Sequence, residues 1–262
     1  MKRIVRVKDV SIGEGPPKVC APMVGDTLSL LEEEAEIINE LACDLVEWRV
    51  DFFSGVMSID SVKKALKHIR SILMEKPLIF TFRNKAEGGQ CEIDAVYYQE
   101  LLSAVMQTRL VDLVDVELMM KDAMILDLVT TARKYQVSVI ISSHDFNRTP
   151  SVEEMVQRML KAAELGGDIP KLAVMPRCSA DVLALMEATR CVKEDNGVGP
   201  LITMAMGGLG MISRLAGEVY GSDLTFGAAK AASAPGQIAA AELQQVIQLI
   251  HQNMPAINEQ KE

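Results

Sequence analysis

Charged residues stand at alternate positions inside segments that otherwise read as buried strands, and this pattern restricts the fold more than any other feature of the chain. In Leu45-Val46-Glu47-Trp48-Arg49-Val50-Asp51, three ionisable residues alternate with Val, Trp and Val. Strands have a side-chain period of two, so Glu47, Arg49 and Asp51 share one side. Asp115 and Glu117 share a side in Val114-Asp115-Val116-Glu117. Arg83 ends a third such segment and His144 a fifth. Lys171 opens a sixth, directly after Ile169-Pro170. An unpaired ion buried in a parallel sheet is strongly unfavourable. A closed barrel offers one converging interior in which these charges neutralise one another. An open, doubly wound sheet would scatter them over two faces.

The order of segments agrees with a barrel. Strand-like runs at 19–24, 45–50, 78–82, 111–117, 137–143, 171–175, 201–206 and, more weakly, 223–226 alternate with stretches of helical spacing. Asp26 reads as an N-cap before Leu31, Ala35, Ile38 and Leu41. Thr149-Pro150 ahead of Glu153 and Glu154 starts another helix, and Gly166-Gly167 stops it. Leu243, Val246, Ile247 and Ile250 line the last. Eight β-α units in 262 residues fit the roughly 250 residues of a (β/α)8 TIM barrel. A hairpin over residues 3–11 is expected to close the barrel bottom. No Pro/Gly/Ser linker interrupts the pattern, so residues 1–262 are expected to form one domain.

Composition narrows the chemistry. Lys+Arg 27 against Asp+Glu 36 gives a net charge of -9 with no basic block, which disfavours nucleic-acid binding. No run of 18 apolar residues is present, so no membrane span is expected. The five cysteines, at 20, 43, 91, 178 and 191, form no paired motif. With a strand-like start in place of a signal peptide, they suggest the cytoplasm. His68, His144 and His251 have no metal-ligand spacing, and no nucleotide, Walker or hydrolase motif occurs. Neither a metal nor a cofactor is expected. Lys, His, Arg and Glu remain, which narrows the chemistry to imine formation with proton transfer. Arg83, Glu87 and His144 fall where barrels keep their catalytic groups, at and beyond the C-terminal strand ends; Lys171 falls early in its strand. Other uses stay open. A lysine at a strand start is ordinarily a solvated edge charge, and His144 can cap its turn. Glu47 and Arg49 can form a structural ion pair. Asp115 and Glu117 can serve as partners for interior Arg or Lys. Met204 and Met206 suit core packing, and Gly207-Gly208-Leu209-Gly210 an anion-binding turn.

Taken in order, several motifs resemble those of type I 3-dehydroquinate dehydratases. They are Glu47-Trp48-Arg49-Val50-Asp51, Phe80-Thr81-Phe82-Arg83 with Glu87-Gly88-Gly89, and Ser143-His144-Asp145-Phe146 with Thr149-Pro150. Further along come Ile169-Pro170-Lys171 with Met175-Pro176, Ile212-Ser213-Arg214-Leu215-Ala216-Gly217-Glu218, and Ser233-Ala234-Pro235-Gly236-Gln237. The resemblance spans essentially the whole chain. It implies a lyase that converts 3-dehydroquinate to 3-dehydroshikimate by syn elimination of water through a lysine Schiff base. That reaction belongs to the shikimate route to aromatic amino acids. It also implies a homodimer. Lys171 matches the imine-forming lysine, His144 the general base and acid, and Glu87 the carboxylate that orients it. Arg214 matches the clamp on the substrate carboxylate. Glu47, Arg49, Arg83, Ser233 and Gln237 match positions that hold ring hydroxyls or close over the substrate. Nearby Arg49, Arg83 and Arg214 are expected to favour a neutral Lys171. Residues 228–236, rich in Ala, Gly, Ser and Pro, read as a mobile lid.

Three sites depart from the family pattern. Pro22 stands where many members carry a serine near the substrate. The 207–210 turn and Asn147-Arg148 also differ. Two competing readings are a class I aldolase, which also uses a lysine imine, and a silent barrel that only binds a cyclic polyol acid. The Glu87–His144 pairing and Arg214 favour dehydration over the first. Retention of both Lys171 and His144 argues against the second.

Overall fold

Eight parallel strands form the wall of a barrel in the computed structural model, which describes residues 4–230 and 234–254. The wall runs β3 (Lys18–Met23), β4 (Leu45–Arg49), β5 (Leu78–Thr81), β6 (Leu113–Glu117), β7 (Ser138–Asp145), β8 (Ile169–Val174), β9 (Ile202–Ala205) and β10 (Leu224–Phe226), with β10 pairing back onto β3. A two-stranded antiparallel hairpin, β1 (Val5–Val7) and β2 (Val10–Ile12), precedes it. The helices α1 (Leu28–Glu40), α2 (Ile59–Ile72), α3 (Ala95–Gln107), α4 (Asp122–Tyr135), α5 (Val152–Glu164) and α6 (Ser179–Arg190) follow the strands in turn. Short α7 (Met211–Leu215) and α8 (Gly217–Tyr220) together follow β9, and α9 (Ala240–Asn253) follows β10. This is the (β/α)8 architecture that the charge alternation requires. Among the described residues no helix is long and apolar enough to cross a membrane.

Local chemistry explains the boundaries. Thr27, Ser58, Asp94 and Ser151 each cap a helix by accepting a backbone N–H three residues on. The first cap is therefore Thr27 and not Asp26, and the helix after Thr149-Pro150 begins behind Ser151. The sixth barrel strand starts at Ile169, two residues earlier than the sequence suggests, so Lys171 is its third residue. Pro170 disguises that start, because it reads as a strand breaker. It stands one residue before the first β8–β9 pair, Lys171–Ile202. Pro22 likewise lies past the last residue pair between β10 and β3, Phe226–Cys20. Each proline thus falls where one neighbouring ladder is not yet formed or already finished.

The two faces of the wall differ. Outward residues such as Trp48, Phe80 and Val116 pack beneath the helices in one large apolar cluster. Trp48 meets Phe80 edge-on at 5.5 Å between centroids. The inward face is graded along the axis. Its lowest layer is apolar: Cys20, Leu45, Ile79, Leu113, Ile140, Ile169, Ile202 and Leu224. Val5, Val7 and Ile12 of the hairpin pack onto this layer and close the bottom. Above it the inward residues become Glu47, Thr81, Asp115, Ser142 and Lys171, all buried.

The wall closes differently at its last seam. Among the described residues, β9 and β10 make no ladder. Asp223 donates its N–H to the Leu201 carbonyl at 2.7 Å, and its carboxylate accepts the Leu201 N–H at 2.7 Å. The Ser222 hydroxyl accepts the Thr203 N–H at 3.0 Å. Side chains thus substitute for strand pairing there.

The hairpin plug is testable. Ile12 is fully buried against the apolar layer. Ile12→Ala is expected to cost about 2–4 kcal/mol in urea unfolding while leaving kcat of the folded protein near wild type, because the charged layers lie above it.

Candidate active site

The charged layers meet in a small cavity at the C-terminal end of the barrel. Glu47, Arg49, Arg83, Glu87, His144, Lys171 and Gln237 line it beside Phe146, Met204 and Phe226. Period two on each strand aims these side chains inward. Ser142 pairs in register with Lys171, and His144 with Ala173, so Lys171 and His144 project from adjacent strands one step apart along the axis.

Asp115 is the electrostatic centre. It is fully buried, and its Oδ2 receives Lys171 Nζ at 2.9 Å while Oδ1 faces Arg83 Nη2 at 2.9 Å. The Ser142 hydroxyl adds a 2.5 Å bond. Burial opposes its charge, yet Arg83 and Lys171 hold its carboxyl below the usual range. Glu47 takes Thr81 Oγ1 at 2.9 Å and Lys171 Nζ at 3.4 Å. The closest charged neighbours of the lysine are therefore carboxylates. The arginines expected to press on it are held by acids of their own. Arg49 donates from Nε and Nη2 to the two carboxylate oxygens of Asp51, at 2.8 and 2.9 Å. Arg83 reaches Glu117 at 2.8 Å, Asp115 at 2.9 Å and Glu87 at 3.5 Å. Burial pulls its guanidinium down, but Asp115, Glu117 and Glu87 more than offset that and hold it well above its ordinary value.

Glu87 belongs to a loop that Asp51 and Glu117 shape. Asp51 accepts the Gln90 N–H and Glu117 the Asn84 N–H. Gly88, at φ 86°, lies under the Phe146 ring, and any Cβ there would strike it at 2.3 Å. Glu87 Oε2 meets both His144 Nδ1, at 2.9 Å, and the His144 backbone N–H, at 3.1 Å. This contact leaves Nε2 as the ring nitrogen open to the cavity. Burial pushes the Glu87 carboxyl up to about 8, only partly opposed by Arg83. Burial, reinforced by Arg83 and Lys171, drives the His144 imidazole well below its usual value. Both shifts thus favour the neutral forms of the pair, Glu87 as the acid and His144 as the free imidazole.

Arg214 does not line the cavity. It is fully buried on α7, behind Met204 and the 234–237 segment. Nη2 donates to the Pro235 carbonyl at 3.3 Å, Nη1 lies 3.6 Å from Met204 Sδ, and Nε has no partner. No carboxylate pairs with it among the described residues. Burial lowers it to about 10, so it stays charged at neutral pH. Ser233 lies outside the described residues. The 207–210 turn is explained by packing: a Cβ on Gly210 would meet the Ala205 carbonyl at 2.1 Å, and one on Gly236 the Gly207 carbonyl at 2.3 Å.

The sequence reading missed Ser142, which joins Arg83 and Asp115. Its signal was present, because it shares the inward face with His144 two residues on. The sequence reading offered Asp115 as a partner for an interior Arg or Lys, and the structure gives it both Arg83 and Lys171, the latter 56 residues away. His68 and His251 pair with Glu32 and Glu218 on helices away from the cavity. No set of three or more His, Cys, Asp or Glu able to hold a metal converges among the described residues.

Comparison with known proteins agrees with this geometry. Residues 19–254 match a family model described as Type I 3-dehydroquinase. The chain is 52% identical over 254 residues to the 3-dehydroquinate dehydratase of Bacillus licheniformis, covering 97% of this chain and all of that protein. It superimposes with a TM-score of 0.95, at 49% identity, on a crystal structure of type I 3-dehydroquinate dehydratase from Clostridium difficile with covalent modified comenic acid. That match covers 97% of this chain and 100% of the other. The 3-dehydroquinate dehydratase of Geobacillus kaustophilus gives 0.92 at 36% identity, covering 96% and 98%. The chain belongs to the type I 3-dehydroquinase family.

Proposed function

We propose that the protein dehydrates 3-dehydroquinate to 3-dehydroshikimate through an imine on Lys171. The observation that carries this reading is the juxtaposition of a buried lysine with the His144 imidazole that Glu87 holds from behind. Lys171 Nζ adds to the C3 carbonyl, and loss of water leaves a protonated imine. That cation is an electron sink for the C2–H bond. Nε2 of His144 takes the C2 proton, and the electron pair moves toward the imine nitrogen. The C1–O bond then breaks as His144 returns the proton to the departing hydroxyl. Water finally hydrolyses the imine and restores the lysine. Asp115 and Glu47 accept N–H groups of Lys171 Nζ and hold it in place beside the cavity.

Glu87 fixes the imidazole orientation. Arg214, a buried cation without a carboxylate, clamps the substrate carboxylate. Glu47, Arg49, Arg83, Ser233 and Gln237 hold the ring hydroxyls. The free space of about 40 Å³ suits two or three waters and not a six-membered ring. Entry of substrate therefore moves the strap that carries Ala234 and Gln237; residues 231–233 of the 228–236 lid lie outside the described residues. Pro22 leaves one hydroxyl contact of other family members unmade. The same reading makes residues 1–262 a single barrel domain, homodimeric, cytoplasmic and independent of cofactors, in the biosynthesis of aromatic amino acids. The support is the family match together with the unpaired cysteines.

Borohydride added during turnover is expected to leave a mass adduct on Lys171. Lys171→Ala gives none. His144→Ala still forms the adduct while kcat collapses. Absence of both adduct and enone absorbance with the wild type would overturn the assignment. Arg214→Leu should lower kcat/KM by about 30- to 1,000-fold, from the roughly 2–4 kcal/mol such a buried charge contact contributes. The pH profile follows from the two shifts. The His144 imidazole is shifted well below its usual value, so the acid limb of kcat/KM should fall below pH 6.5. Glu87 ionises near 8, so an alkaline inflection is expected there. Glu87→Gln should remove that inflection.

A further inference from the structure

We propose that the closed end of the barrel carries a second binding site, selective for a small phosphate-bearing dianion. A cavity of about 290 Å³ opens there, lined by Arg6, Lys8, Arg109, Tyr135, Gln136 and Ser138. It lies at the far end of the barrel from the reacting lysine. Ser138 is the first residue of β7 and His144 nearly the last, which places them roughly 20 Å apart at 3.3 Å per residue.

Three cations converge on this cavity in a chain whose net charge is -9. Among the described residues none of the three forms an ion pair. Lys8 donates to the Met74 carbonyl and keeps its other two N–H groups. The one acid in the lining, Asp112, is already engaged by Arg70 at 2.6 Å and by the Leu78 N–H at 2.8 Å. Asp112 and Glu75 favour the charge on Lys8 from a distance, while burial and Arg70 oppose it, so the lysine is not neutralised by a paired acid. Tyr135 and Ser138 add hydroxyls, and the Lys134 ammonium sits 5.4 Å over the Tyr135 ring. The remaining lining is rich in donors, and a phosphate is rich in acceptors.

The backbone adds an independent observation. Lys8, Arg109 and Gln136 have φ of 50°, 57° and 60°. They are the only non-glycine residues with positive φ among those described, and all three line this one cavity. Arg109 and Gln136 end α3 and α4, where glycine is the usual unstrained residue. Glycine would serve the turn at each position, yet each carries a long donor side chain. Strained backbone that converges on one cavity marks a site and not a set of unrelated turns. An anion seated here would tie the hairpin turn at Lys8 to the ends of α3 and α4 and to the start of β7, locking the plug onto the barrel.

The probes are inorganic phosphate and glycerol 3-phosphate, titrated at constant ionic strength against sodium chloride. Calorimetry and thermal unfolding are read on the wild-type protein and on Arg6→Gln, Arg109→Asn and their double variant. Asparagine tolerates positive φ, so Arg109→Asn retains the turn. All variants should keep wild-type dehydratase activity, which verifies that they fold. The expected result is saturable binding with a rise in Tm for the wild type, at least tenfold weaker binding in each single variant, and none in the double. Tighter binding of the ester than of inorganic phosphate would identify a phosphorylated metabolite as the ligand; equal binding would identify free phosphate. Chloride matching phosphate at equal ionic strength, or an unchanged affinity in the double variant, would overturn the site.

Discussion

Asp115 between Arg83 and Lys171 is the interaction on which the rest of the active end depends. The carboxylate is fully buried, so it survives as an anion only because two cations face it. Those cations come from just beyond β5 and from the third residue of β8, and Asp115 itself from β6. Ser142 of β7 closes the circuit. One charged knot therefore fixes four consecutive strands against one another. Arg83 extends it to Glu117 and to Glu87, and so to the imidazole of His144. Five acids, Glu47, Asp51, Glu87, Asp115 and Glu117, face three bases, Arg49, Arg83 and Lys171. The surplus of negative charge is relieved where burial keeps Glu87 protonated up to about pH 8. Burial and its acidic neighbours thus favour the protonated form of Glu87, while burial together with Arg83 and Lys171 favours the unprotonated form of His144.

The barrel separates stability from chemistry along its axis. The lower interior is packed entirely with Leu, Ile, Cys and the hairpin's Val and Ile. This layer gains stability from burial and contains no ion to desolvate. The ions sit above it, where each has a partner or, in the case of Arg214, waits for one. A buried guanidinium with an unsatisfied Nε is unfavourable, and on the proposed role of Arg214 the substrate carboxylate would offset that cost.

Much of this was legible in the sequence, and for a definite reason. Charges at alternate positions in otherwise apolar strands admit few folds, so Glu47, Arg49, Asp115 and Glu117 disclosed the barrel before any contact was known. His144 and Glu87 were legible through the family motif. Partner choice was not. Arg49 is held by Asp51, and Lys171 lies between Asp115 and Glu47, because the tilt and stagger of the wall decide who meets whom. The depth of Lys171 was hidden by Pro170, whose usual meaning as a strand breaker fails where the adjacent ladder has not begun. Arg214 was placed in the site by resemblance alone. It stands behind Met204, a position that no periodicity in a five-residue helix could reveal.

The seam between β9 and β10 divides the wall into unequal parts. Seven ladders join β10 through β3 to β9, and the knot of charges stiffens their middle. The eighth junction is a clasp made of Asp223 and Ser222. The two elements beside that clasp, α7 after β9 and the 234–237 strap after β10, carry Arg214 and Gln237. Arg214 and Gln237 are therefore mounted beside the one junction that lacks a ladder among the described residues, and Lys171 and His144 on strands joined by a full ladder, so that movement of the first pair need not disturb the alignment of the second.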